Sequence, residues 1–314
     1  MTSRRNANPS FCVVVPVYNE SETIPLLWTR LQEVCAQCAE AFEFLFVDDG
    51  STDDSFPQLA ALAAAHPGVK ILRLSRNFGH QAALAAGIEY AGGDALILMD
   101  ADLQDRPDCI LDFIAQWKDG ADVVYAIRTT RKEGALARTA FRGFYRLMSY
   151  SAGIRIPMDA GIFGLLDRRV VEVLKSMPER NRYFPGLRAY AGFDQRGVPV
   201  ERDARHAGAS RVRLSGLVKL ALDGLIAFSY LPIRIITCIG LFVAFSAFGY
   251  SLRVLYKKLI SHEAILGWAS TLTAILFLGG LQLVMLGLIG EYIGRIYEEV
   301  KQRPYFIVSE KVNL

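Results

Sequence analysis

The chain has 314 residues, 52% of them hydrophobic, and a net charge of +3 at neutral pH. That much apolar material excludes a disordered chain, and the length suffices for one sizeable α/β domain plus a smaller part. So small a net charge argues against a nucleic-acid partner on bulk electrostatics, and it gives no reason to expect an acidic substrate.

The N-terminal stretch MTSRRNANPSF lacks the apolar core of a secretory signal, so the first domain is expected to stay in the cytoplasm. Strand-like and helix-like runs then alternate: FCVVVPV, a helix through Cys38, FEFLFVDDG, a helix through Ala65, VKILRLS, AALAAGIEYA and DALILMDAD. The runs VVVPV, FEFLFV and ALILM are nearly continuous apolar, as strands buried on both faces must be. Such alternation predicts a mostly parallel sheet covered by helices. The cysteines at 12, 35, 38, 109 and 238 are odd in number and scattered, which does not read as a disulfide framework. Cys35 and Cys38 form a lone CxxC in a helix-like stretch with no second pair, so they read as ordinary helix cysteines before a zinc or redox site.

Further along, LSGLVKLALDGLIAFS (214–229) gathers its leucines on one helical face, with Lys219 and Asp223 off it. That pattern predicts a helix lying in a membrane interface, with a core helix of the soluble domain as the alternative. Uncharged runs follow from Ile235 to Leu252 and from Ala264 to Gly290, each long enough to cross a hydrocarbon core as a helix. The expected organisation is an α/β domain over 1–212, an interfacial amphipathic helix over 213–232, two transmembrane helices within 233–290 (about 233–252 and 265–290) and a tail over 291–314. A hairpin of two spans returns the tail to the side of the first domain. Lys and Arg in the loop (Arg253, Lys257, Lys258) nearly match those of the tail, so orientation rests on the substrate instead.

In open α/β sheets ligands collect at the carboxyl ends of the strands. Three of the expected strands end in polar residues: Pro16-Val17-Tyr18-Asn19-Glu20, Asp48-Asp49-Gly50-Ser51 and Asp100-Ala101-Asp102-Leu103-Gln104-Asp105. Asp100 and Asp102 are two apart, so on extended backbone they point the same way and can share one divalent cation with a diphosphate. Their hard oxygens suit Mg²⁺ or Mn²⁺. Asp48 and Asp49 precede a turn into a helix, so one of the pair can cap while the other faces a ligand.

Taken together, VVVPVYNE, VDDGSTD, LSRNFGHQAAL and DADLQDRPD resemble the glycosyltransferase family 2 enzymes of the GT-A fold, specifically their polyisoprenyl-phosphate branch. That branch includes dolichyl-phosphate mannose synthases, bactoprenol glucosyltransferases and the aminoarabinose lipid transferase. The likeness extends to GLIGEYIGRIYEEVKQRP after the second span. It implies a GT-A (Rossmann-like), mostly parallel sheet domain that is catalytic and cytoplasmic, followed by the interfacial helix and a two-helix transmembrane hairpin in a cell inner membrane. It further implies that Pro16, Tyr18, Glu20 and Asp48 line the nucleotide pocket, with Asn19, Asp49, Arg76, Asn77, Gly79 and Ala101 beside them. Asp100, Asp102 and Gln104 would hold the metal and the sugar diphosphate, Gln104 by resemblance alone.

The acceptor side is read from arginines. Arg128 and Arg131 follow the strand-like ADVVYAI, and Arg202 and Arg205 precede His206-Ala207-Gly208-Ala209-Ser210-Arg211, just ahead of the interfacial helix. Guanidinium forks pair well with phosphate oxygens, although solvated surface charge explains any single arginine equally. In the resembled family these stretches are associated with the acceptor phosphate. A phosphate monoester is largely ionised at neutral pH, so unlike a hydroxyl acceptor it needs no strong base. One direct displacement would invert the anomeric carbon. Where many relatives show Gly-Asp-Phe-Arg, this chain has Gly161-Ile162-Phe163-Gly164, and Asp159 is the nearest carboxylate substitute. His80 and His206 lack a recognisable metal partner and read as surface or secondary residues.

The expected partners are a nucleotide sugar donor, a polyisoprenyl phosphate and the membrane, with a homo-oligomer left open. Glucose from UDP-glucose onto undecaprenyl phosphate, in cell-envelope glycan (lipopolysaccharide O-antigen) modification, leads among the sugars; mannose and aminoarabinose stand behind it. A processive polysaccharide synthase would carry more spans and a Gln-x-x-Arg-Trp motif. A non-catalytic lipid-sugar binder or translocator would want ionisable residues inside its spans.

Overall fold

The structure, a computed structural model, describes residues 8–128, 160–180, 182–200, 231–259 and 267–314. The chain forms two compact units, one of Met1–Arg213 with Arg303–Leu314 and one of Leu214–Gln302.

In the first unit β1 (Ser10–Val17), α1 (Ile24–Cys35), β2 (Ala41–Asp48), α2 (Ser55–Ala65), β3 (Val69–Leu74), α3 (His80–Tyr90), β4 (Ala95–Leu98) and α4 (Cys109–Lys118) alternate as the apolar runs predict. β5 (Val123–Arg128), β6 (Ala160–Asp167), α5 (Arg168–Ser176), α6 (Phe184–Ala191) and β7 (Gln195–Val200) follow, and β8 (Val308–Val312) comes from the far end of the chain. All strands join one 8-stranded sheet in the order β7-β5-β6-β4-β1-β2-β3-β8. β1 runs parallel to β2 and β4, and β2 parallel to β3, so this central part matches the expectation. The sheet as a whole is mixed. β6 lies antiparallel between β4 and β5, and β8 closes the other edge antiparallel to β3.

Val13, Val14 and Val15 of β1 are wholly buried, because helices cover both faces of the central strands. On one face Trp117 of α4 meets Phe11 edge-on at 5.4 Å and donates its indole N–H to Asp167 at 2.9 Å. Gly164 sits in the middle of β6, where a Cβ would lie 2.4 Å from the Val124 carbonyl oxygen of β5. The position has room for hydrogen alone, so the arginine of the Gly-Asp-Phe-Arg pattern has no place in this packing.

The tail expected over 291–314 is part helix and part strand. β8 is tied to the sheet beyond its ladder, since the Asn313 side-chain amide donates to the carbonyls of Ala63 (3.0 Å) and Val69 (2.9 Å).

The second unit contains α7 (Leu231–Leu259) and α8 (Trp268–Val300). Both outrun the expected spans of about 233–252 and 265–290, because charge ends an apolar run without ending a helix. α8 continues past Gly290 on a Glu291–Arg295 pair at i,i+4 (3.0 Å). Among the described residues one segment, Phe277–Val300, is long and apolar enough to cross a membrane; Ile236–Tyr250 is a shorter apolar helix segment. The interfacial helix expected over 213–232 lies outside the described residues, save Leu231 and Pro232, which open α7.

Candidate active site

The parallel strands β1, β2, β3 and β4 put their carboxyl ends on one edge of the sheet, and the loops there are laced together before any ligand is considered. After β1, Asn19 has φ 54 and its side-chain carbonyl accepts the Thr52 N–H at 2.8 Å. In return Ser51 Oγ accepts the Asn19 N–H (3.0 Å) and Ser55 Oγ accepts that of Glu20 (2.9 Å). Asn19 therefore spends its side chain on the neighbouring loop.

Adjacent residues of a strand point to opposite sides. Asp48 goes inward: it is wholly buried, accepts the Ser51 N–H at 3.1 Å and faces Arg73 Nε at 3.3 Å. Asp49 goes toward the ligand edge, where its carboxylate accepts the N–H groups of Phe78 (2.7 Å) and Gly79 (2.9 Å). Burial, with the charge of Asp48 adding, pushes the Asp49 carboxyl above its usual range against those two donors. The loops after β2 and β3 touch so closely that a Cβ on Gly50 (φ +68) would lie 2.6 Å from the Arg76 carbonyl carbon. Only glycine fits there.

After β4 the chain turns at Leu103, a buried non-glycine residue at φ 58, while Asp102 Oδ1 accepts the Gln104 N–H at 3.1 Å. Strain of this kind persists where packing over-determines the backbone. Asp100 Oδ1 lies 2.9 Å from His80 Nε2, on the first residue of α3. Partial desolvation at the cleft wall would depress the His80 imidazole, but the hydrogen bond and charge of Asp100, with Asp49 and Asp102 adding, hold it above its usual value.

These ends enclose a cleft of about 210 Å³. Pro16, Tyr18 and Glu20 line it from β1, Asp49 from β2, Asn77 and His80 from the start of α3, and Asp100, Ala101 and Asp102 from β4. A whole small-molecule site spans roughly 300–1,000 Å³, so this cleft is smaller than a typical complete site. Asn19, Asp48, Arg76, Gly79 and Gln104 are not among the lining residues. Arg76 stacks its guanidinium over Phe78 at 4.1 Å, and Gly79 supplies the N–H that holds Asp49. Arg128 is the last residue of β5. Arg131, Asp159, Arg202, Arg205, His206, Ser210 and Arg211 lie outside the described residues.

Among the described residues no three His, Cys, Asp or Glu side chains converge as a cation site. Two hard carboxylates in one cleft instead suit Mg²⁺ or Mn²⁺, which take few protein ligands and fill the remaining positions with phosphate oxygens and water. His80 is the lining residue that sequence reasoning set aside. The signal was its place within LSRNFGHQAAL, at the start of the helix that follows the third strand.

The model for glycosyl transferase family 2 matches residues 12–174, and that for the GtrB C-terminal hairpin matches residues 231–296. The uncharacterized glycosyltransferase YkcC of Bacillus subtilis is 44% identical, over 97% of this chain and 94% of the relative. The bactoprenol glucosyl transferase of Shigella phage SfII is 41% identical over 95% of this chain and 97% of the relative. Among solved structures, mannosyl-3-phosphoglycerate synthase from Rubrobacter xylanophilus aligns at 20% identity with a TM-score of 0.49, covering 74% of this chain and 75% of that one.

Proposed function

The chain belongs to glycosyl transferase family 2, and we propose that within it the protein moves a sugar from a nucleotide diphosphate sugar onto a polyisoprenyl phosphate at the cytoplasmic face of a membrane. The observation that carries this reading is the convergence of Tyr18, Asp49, Asp100 and Asp102 on one cleft at the carboxyl edge of the sheet. Glucose from UDP-glucose onto undecaprenyl phosphate leads among the donors and acceptors, supported by relatives named bactoprenol glucosyl transferase at 41% identity.

In this reading Pro16 and Tyr18 flank the nucleoside, and Asp100 and Asp102 hold a divalent cation, with Gln104 added from the family resemblance. A cation held there would supply positive charge to offset that of the departing diphosphate. Arg128 and Arg131, with Arg202, Arg205, Ser210 and Arg211, hold the acceptor phosphate by charge-assisted contacts. One acceptor phosphate oxygen bonds to the anomeric carbon as the bond from that carbon to the diphosphate oxygen breaks. The nucleoside diphosphate departs with the electron pair, and the anomeric configuration inverts. Because the acceptor is already an anion, positioning replaces proton abstraction, and Asp159 has at most an electrostatic part.

α7 and α8 are proposed as a hairpin of two spans. Phe242, Phe245 and Phe248 of α7 and Phe277, Leu283 and Leu286 of α8 are exposed, as lipid-facing side chains are. β8, which follows α8 in sequence, belongs to the same sheet as the site strands, so the chain must cross a membrane an even number of times between β7 and β8. Nucleotide sugars are made in the cytosol, which places the sheet on that side.

The test is a panel of nucleotide sugars offered to the purified protein with a short polyprenyl phosphate, read by the mass of the lipid product. A hexosyl lipid from UDP-glucose is expected. A sugar product that forms without the lipid phosphate would remove the acceptor from the reading.

A further inference from the structure

His80 is the first residue of α3, and its side chain is 45% exposed at the wall of the cleft. Its Nε2 lies 2.9 Å from Asp100 Oδ1. An ionised carboxylate can only accept, so Nε2 carries the proton in this contact and the imidazole is the donor. The histidine is itself held in place. The residue before it, Gly79, has φ +96 and gives its N–H to Asp49, while the helix behind it packs Gly87 so closely on β1 that a Cβ there would lie 2.2 Å from Val14 Cγ1. A path of direct contacts therefore runs from Asp49 after β2, through Gly79 and His80, to Asp100 after β4.

We propose that His80 is a positioning residue of the cation site, donating from Nε2 to Asp100 Oδ1 and fixing that carboxylate's orientation before the cation and the nucleotide diphosphate arrive. This rests on the donor-site reading above. An aspartate at a strand end turns about two side-chain torsions, and a cation that keeps only two carboxylate ligands from the protein is sensitive to both. Hydrogen bonds from outer groups to ligating carboxylates typically change cation affinity by about 10–100-fold when removed. Asp102 accepts from its own turn, through the Gln104 N–H, whereas the His80 contact reaches Asp100 from a different element. The histidine thus couples the β2 and β3 loops to the geometry of the cation site.

The test titrates Mn²⁺ into the full-length protein in detergent with saturating UDP, following free Mn²⁺ by electron paramagnetic resonance, for the parent, His80→Phe and His80→Gln. UDP affinity in EDTA is measured alongside by calorimetry. Phe keeps a ring without a donor, while the Gln amide nitrogen can occupy the place of Nε2. The expected result is Mn²⁺ affinity about 10–100-fold weaker in His80→Phe, largely restored in His80→Gln, with UDP affinity in EDTA unchanged in both. Unchanged Mn²⁺ affinity in His80→Phe overturns the inference, as does an equal fall in metal-free UDP binding, which would put His80 directly on the nucleotide. A parent that binds no Mn²⁺ with UDP overturns the donor-site reading itself.

Discussion

The carboxylate of Asp49 accepts the backbone N–H of Gly79 at 2.9 Å and that of Phe78 at 2.7 Å, joining the loop after β2 to the start of α3. Asp49 is 2% exposed, so the two N–H groups it holds are paired by the protein in the folded state. Asp49→Ala strands two donors and should destabilise the first unit by about 2–3 kcal/mol, read as a lower denaturant midpoint by tryptophan fluorescence. Gly50→Ala should cost as much or more, since it adds backbone strain at φ +68 to a backbone clash. A midpoint within error of the parent for both would mean the loops are held elsewhere.

Arg188 of α6 is 1% exposed, with its guanidinium 4.4 Å over the Tyr125 ring and one donor on the Gly161 carbonyl at 3.3 Å. Its Nε and Nη2 have no hydrogen-bond partner among the described residues, and burial brings its pKa down to about 10. A base whose folded pKa lies below its unfolded value costs stability at neutral pH, where the unfolded chain binds the proton more readily; the cost fades as pH rises above about 10. Arg188→Met should therefore raise stability by roughly 1–2 kcal/mol. Chemical denaturation checks this, and a lowered midpoint would show that the arginine stabilises the fold.

The central strands were legible in the sequence because VVVPV, FEFLFV and ALILM are buried on both faces, and continuous apolar runs leave little other choice. β7 and β8 were not. QRGVPV and VSEKV are short, polar strands at the two sheet edges, where solvent covers one side and the apolar pattern fades. β6 slots between β4 and β5, a pairing that local pattern cannot encode. In the site, the Asp100-x-Asp102 pair was readable because its spacing fixes its direction. Which of Asp48 and Asp49 faces the cleft depended on strand register, and the structure points Asp49 there.

Acceptor and donor residues should separate kinetically. Arg128→Ala or Arg131→Ala is expected to raise the lipid phosphate concentration needed for half-maximal transfer by about 10–100-fold, the worth of one charge-assisted contact. Nucleotide binding, measured by calorimetry, should stay as in the parent. Loss of nucleotide affinity with an unaltered lipid dependence would move these arginines to the donor side.

The even number of crossings can be tested by labelling. A cysteine replacing Ser261, between α7 and α8, in a chain otherwise free of cysteine should react with an impermeant thiol reagent in intact cells or, in a Gram-negative host, in spheroplasts. One replacing Ser309 in β8 should react only after lysis. The reverse pattern would invert the topology.

The proposed role of Asp100 and Asp102 is to hold the cation on which sugar transfer to a lipid phosphate depends. It is tested most directly by the mass of the lipid formed from UDP-glucose and a polyprenyl phosphate, comparing the parent with Asp102→Asn at matched thermal stability. A hexosyl lipid is expected from the parent, none above background from Asp102→Asn, and the same loss when EDTA is added to the parent. Transfer by Asp102→Asn within about threefold of the parent, a barrier change below roughly 0.7 kcal/mol, would contradict it.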